Sequence, residues 1–104
     1  MNMIPYDPQL HGCHDKYLEV VTHALDCEKV AMAILRTEGP PKSEKERIIL
    51  EEMLSIAEQQ PPLYQHAAAA WASRDLRLHR AFKRYVTVGE GTVQTLRELL
   101  RLGA

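Results

Sequence analysis

The sequence predicts an all-α fold: one small bundle of about four helices, with a long third helix and an extended N-terminal arm. Three observations carry this. Apolar residues recur at spacings of three and four over most of the chain, which gathers them on one side of a helix. Proline, glycine and capping residues cluster between those stretches. No convincing strand pattern interrupts them. The 104 residues form a single domain, 1–104, with no room for a second core.

Residues 1–14 read as the arm, because the first ten hold Pro5 and Pro8 and no helical period. Asp15 suits the start of a first helix over 15–36, where its carboxylate can accept free backbone N–H groups. Along it Tyr17, Leu18, Val20, Val21, Ala24 and Leu25 begin an apolar pattern that covers much of the circumference, so contact on two sides is expected. Gly39 and Pro40–Pro41 make Thr37–Ser43 a loop. Ser43 with Glu46 is a capping box opening a second helix over 44–60, and Pro61–Pro62 closes it.

A third helix is predicted over 63–87, where Tyr64, Trp71, Leu78 and Tyr85 recur every seven residues. The alternative is a break at Ser73, which would cap a separate helix from Arg74. Val88–Gly91 ends the third helix, and Thr92 opens a fourth over 92–102, stopped by Gly103. At about 1.5 Å per residue, a 25-residue rod is about 37 Å long, against about 34 Å for a compact domain of this size. One chain alone leaves part of the aromatic seam wet. A homodimer through the first and third helices is therefore expected, with Leu18, Val21, Leu25, Tyr64 and Trp71 in the self-association surface.

Charge is unevenly spread. Residues 1–60 hold eleven acids and six bases, and 61–104 three acids and seven bases. Within Arg74–Tyr85 alone lie five Arg/Lys residues, one histidine and a single aspartate. Turned at about 100° per residue, Arg77, Arg80 and Arg84 lie nearly opposite the aromatic seam, with Leu76 beside them. Arginine bordering an apolar residue suits a protein partner, since its planar donors pair carboxylates while its stem packs. The expected partner-binding residues are Leu76, Arg77, Arg80 and Arg84. Nucleic acid on the same stripe is the first alternative, though the net charge of −1 opposes it. A solvated face offset by Glu51, Glu52 and Glu58 is the plain reading.

The other chemistry-bearing groups are sparse. His11, Cys13, His14 and Asp15 are competent metal ligands, but the two separated ligand pairs of a zinc site are missing. Cys27 reads as a small buried hydrophobe, with His23 one turn away. A metal- or thiol-dependent enzyme is the second alternative. Gly89 and Gly91 lack the preceding strand of a phosphate loop. No catalytic residue, cofactor or metal is therefore assigned, and the expectation is a protein that is not an enzyme. No apolar run approaches the roughly 18 residues of a membrane span, and the N-terminus lacks a secretory pattern. Two cysteines in such a chain point to a reducing cytoplasm.

In size, helical make-up, Pro-containing arm (Met1–Leu10) and long helix (Leu63–Thr87), the chain resembles the small bacterial anti-activators. That resemblance implies direct binding to a LuxR-type quorum-sensing transcription regulator, blocking its dimerisation or DNA binding. It implies no particular residues.

Overall fold

The structure, a computed structural model, describes residues 8–103, with side chains from His14 onward. It consists of three helices: α1 (Pro8–Glu38), α2 (Glu44–Trp71) and α3 (Leu76–Leu102). The all-α class holds, but the count is three and not four. Residues 8–14 of the expected arm are helical, because Pro8 occupies the first position of α1, where its missing N–H removes no intrahelical bond. The remainder of the arm, 1–7, lies outside the described residues. Asp15 is accordingly inside α1 and caps nothing.

The start of α2 follows the capping box. Ser43 is extended (φ −148°, ψ 162°), and its hydroxyl accepts the Glu46 N–H at 3.2 Å. Before it, α1 stops at Gly39, whose φ of 84° is the left-handed turn that favours glycine, and whose N–H donates to Leu35 O at 3.0 Å.

The remaining boundaries correct the sequence reading. Pro61 and Pro62 lie inside α2. Each lacks the N–H that would bond four residues back, a penalty of about 3 kcal/mol for an interior proline when nothing offsets it. At Pro61 tertiary contact offsets it, while Pro62 is exposed. The Pro61 ring sits in the α2–α3 interface opposite buried Gly89, where a Cβ would lie 3.5 Å from Pro61 Cγ. The same contact explains why Val88–Gly91 does not break α3. Two local helix breakers are packed against each other in one interface, and both helices run through.

The rod expected over 63–87 does not exist. It folds back at 72–75, where Trp71 O accepts from the N–H groups of Arg74 and Asp75. Asp75, not Ser73, is the cap: it is extended, and its carboxylate accepts the Arg77 N–H at 3.0 Å. The fourth helix, 92–102, is the second half of α3.

α3 is the middle of the molecule. Both other helices pack on it, while the backbones of α1 and α2 nowhere approach each other among the described residues. The result is an elongated molecule of 55 × 21 × 18 Å with a radius of gyration of 17.0 Å, against about 13 Å for a compact chain of this length. Leu78 and Leu96 of α3 are wholly buried, and Leu50 of α2 joins Leu96 and Leu99 in a cluster flanked by Leu35 of α1. Among the described residues no helix is long and apolar enough to cross a membrane.

Candidate functional site

α1 and α2 each carry two apolar seams side by side. On α1 the inner seam steps by four and three through His14, Leu18, Val21, Leu25, Glu28, Met32 and Leu35, all buried or half-buried. On α2 it runs through Leu50, Leu54, Ala57, Pro61, Tyr64, Ala68 and Trp71, again all buried or half-buried. These seams face α3. Directly before the inner residues stands a second set: Tyr17, Val20, Ala24, Cys27, Ala31 and Ile34 on α1, and Ile49, Met53, Ile56, Gln60, Leu63, Ala67 and Ala70 on α2. None of these is charged. Six of them are far from covered: Tyr17 is 57% exposed, Val20 65%, Ile34 56%, Ile49 49%, Ile56 59% and Leu63 62%, whereas Ala24, Met53, Gln60 and Ala67 are half-buried and Met53 packs on the core.

One residue earlier means a turn of about 100° in the same sense on both helices. α1 and α2 run in opposite directions and flank α3 from opposite sides. Reversing the direction flips the sense of that turn, and moving to the other flank flips it back. Both second seams therefore look out on one face. Tyr17 marks which face, since its ring lies 6.4 Å from Trp71 of α2, across the space between the flanking helices. The two seams are the walls of an apolar groove, and the solvated residues Lys83, Glu90, Gln94 and Arg101 of α3 occupy the opposite side.

Several polar residues lie among the inner ones. Tyr64 of α2 and Tyr85 of α3 have ring centroids 4.1 Å apart. Burial, reinforced by the Tyr85 hydroxyl, drives the Tyr64 phenol well above its ordinary range. Glu28 of α1 faces Thr92 of α3, yet neither Glu28 Oε2 nor Thr92 Oγ1 completes a hydrogen bond. Burial raises the Glu28 carboxyl above the usual carboxylate value, and the nearby Thr92 hydroxyl pulls the other way. Cys27 is exposed on the wall, contrary to the buried position expected of it, with Sγ 3.6 Å from His23 Nε2.

The residues expected to mediate self-association turn out to face inward. Leu25 is 3% exposed and is covered by its own chain. Leu18, Val21, Tyr64 and Trp71 lie half-buried in the inner seams. The aromatic repeat is satisfied within one chain: Tyr64 packs on Tyr85 and Phe82 across the α2–α3 hairpin, and Trp71 meets the edge of His14 of α1 at 4.9 Å. With no rod over 63–87, length alone no longer requires a second copy.

The basic run divides as well. Arg77 ties helices together, with Nη1 2.9 Å from Asp15 Oδ1 on α1 and Nη2 3.0 Å from Asp75 Oδ2. Arg74 lies over the Trp71 ring at 4.6 Å. Leu76, Arg80 and Arg84 remain exposed on the outer side of α3. Two arginines of the run thus serve the fold, which answers part of the charge imbalance between the two halves of the sequence.

Of the metal candidates, the side chains of His11 and Cys13 lie outside the described residues. His14 is half-buried, with Nδ1 3.5 Å from Asp75 Oδ2. Among the described residues, no three His, Cys, Asp or Glu side chains gather as metal ligands would. Comparison with family models, curated proteins and solved structures finds no match.

Proposed function

We propose that this chain is a non-catalytic protein-docking regulator whose working surface is the groove between α1 and α2. The observation that carries it is the pair of uncharged seams, exposed along both helices of a subunit whose own core is already filled by the inner ones. Burying such a surface against another protein is favourable at about 25 cal/mol per Å² of apolar area. The size and helical make-up shared with the anti-activators make a transcription regulator the first partner class to test.

A photo-reactive amino acid placed at Val20 or at Ile56 in the native cell, with Lys83 on the opposite face as control, tests the reading. Protein adducts at 20 and 56, absent at 83, are expected. Equal labelling at all three positions, or none, removes it.

A further inference from the structure

We infer that the cleft between α2 and α3, on the side away from the groove, binds a small hydroxy acid: a carboxylate with a hydroxyl beside it and a short apolar body. The site is independent of any docking in the groove.

The cleft holds about 370 Å³, near the lower end of the roughly 300–1,000 Å³ of small-molecule sites. Ala68 and Ala69 of α2 are too small to fill it, and with Val86 of α3 they give it an apolar lining. His79 and Lys83 of α3 line it too, and no acid among the described residues does.

Its surroundings are strongly basic. Over residues 59–89, the arms of the hairpin on either side of the cleft, Asp75 is the single acid against five Arg/Lys residues. Asp75 is already paired with Arg77, which also reaches Asp15 of α1. Arg80, Lys83 and Arg84 are left in no ion pair among the described residues. Of these three, Lys83 is the one that lines the cleft. A cation beside a concave apolar surface, in a positive field with no acid to answer it, suits an organic anion.

His79 adds the second polar contact. α2 tightens at its end, where the Ala72 N–H donates to Ala69 O at 3.3 Å, so Ala68 O loses its helical donor. His79 replaces that donor, with Nδ1 2.7 Å from Ala68 O. A carbonyl oxygen only accepts, so the ring hydrogen sits on Nδ1 and the ring is oriented. That leaves Nε2, an acceptor in the neutral ring, as the unpartnered nitrogen of a side chain that lines the cleft. Lys83 follows His79 by four residues, so the two stand on one face of α3. Lys83 takes the carboxylate, Nε2 accepts from the neighbouring hydroxyl, and Val86 with the two alanines meets the apolar body.

The test is a titration of the isotope-labelled chain with 2-hydroxyhexanoate at about pH 8, followed by backbone amide shifts. Amides around Ala68, His79 and Lys83 should move on a saturating curve with a Kd of about 1 mM, the scale expected of so small a probe. Hexanol and inorganic phosphate should each bind at least about ten-fold more weakly, and hexanoate at least about three-fold. Lys83→Met, which keeps the stem of an exposed side chain, should weaken the probe about ten-fold. Ala69→Phe, at another exposed position, should fill the cleft and abolish binding, and it decides the matter if Lys83→Met misfolds. No saturation by about 20 mM overturns the site, as do shifts centred on Val20 and Ile56. Hexanol, phosphate or hexanoate binding as tightly as the hydroxy acid overturns it too, as does indifference to both substitutions.

Discussion

α3 and its two flanking helices are of similar length, 27 residues against 31 and 28, yet they are used very differently. α3 buries Leu78, Ala81, Gly89, Thr92, Val93, Thr95, Leu96 and Leu99. α2 buries only Leu50 and Ala68, and α1 only Leu25 and Met32 among its described side chains. The flanking helices are not poorer in apolar residues; theirs are spread over two adjacent faces. A central helix has neighbours on both sides, whereas a flanking helix with two apolar faces and one neighbour leaves a face unspent. The buried side chains are concentrated in the spine, and the outer seams of the flanks stay largely exposed.

The largest expected contrast comes from truncating one side chain in each region. Leu96→Ala, at 0% exposure, should lose about 2–5 kcal/mol in chemical denaturation. Asp75→Ala comes next. It removes the α3 cap and a carboxylate held by Arg77, and about 1–2 kcal/mol is expected. Arg77 holds the Asp75 carboxyl below its ordinary value. That support is therefore complete above the unfolded pKa near 3.9 and is lost as pH falls through the lower folded value. Wild type and variant should converge in acid.

Smaller effects sharpen the comparison further. Gly91→Ala places a Cβ where nothing lies within 4 Å, and should stabilise the chain by about 0.5–1 kcal/mol. Glu28 sits where the flank meets the spine. Burial raises its folded pKa, so the acid form suits the fold, and stability is lost as pH rises through that raised value. Glu28→Gln should gain under about 1 kcal/mol at neutral pH, and the gain should vanish in acid. The smallest effect is expected at the groove. Ile56→Ala, at a side chain 59% exposed, should lie within about 0.5 kcal/mol of wild type. A loss like that of Leu96→Ala would show that the outer seam is core after all.

Much of this arrangement is legible in the residues. The four-and-three spacing marks each helix, and Ser43 with Glu46 marks one start to the residue. Pro61–Pro62 and Gly89 mislead because local rules treat them as punctuation, while their mutual packing, visible only in three dimensions, decides the outcome. The turn at 72–75 contains neither glycine nor proline, so the seven-residue repeat favours a straight rod, and the alternative break near Ser73 is the one the structure takes, two residues later at its cap. The groove is half-legible. Tyr17 beside Leu18, and Ile49 beside Leu50, show that two apolar faces exist. Which of the two turns inward depends on the position of α3, and no spacing within α1 or α2 reveals that. The arginines divide for the same reason: Arg77 meets Asp15 only because α1 begins early enough to lie beside it.

The lighter attachment of α1 has a consequence for how the molecule opens. α2 and α3 are joined by a four-residue turn and close on each other as a hairpin; α1 is laid against that hairpin through one face and hangs from the glycine pivot at Gly39. Thermal fluctuations should release it as a single unit, its amides exchanging with solvent together and ahead of those in the hairpin. A binder gripping both walls at once would fasten that strut, and slower exchange along α1 would report its arrival from a distance.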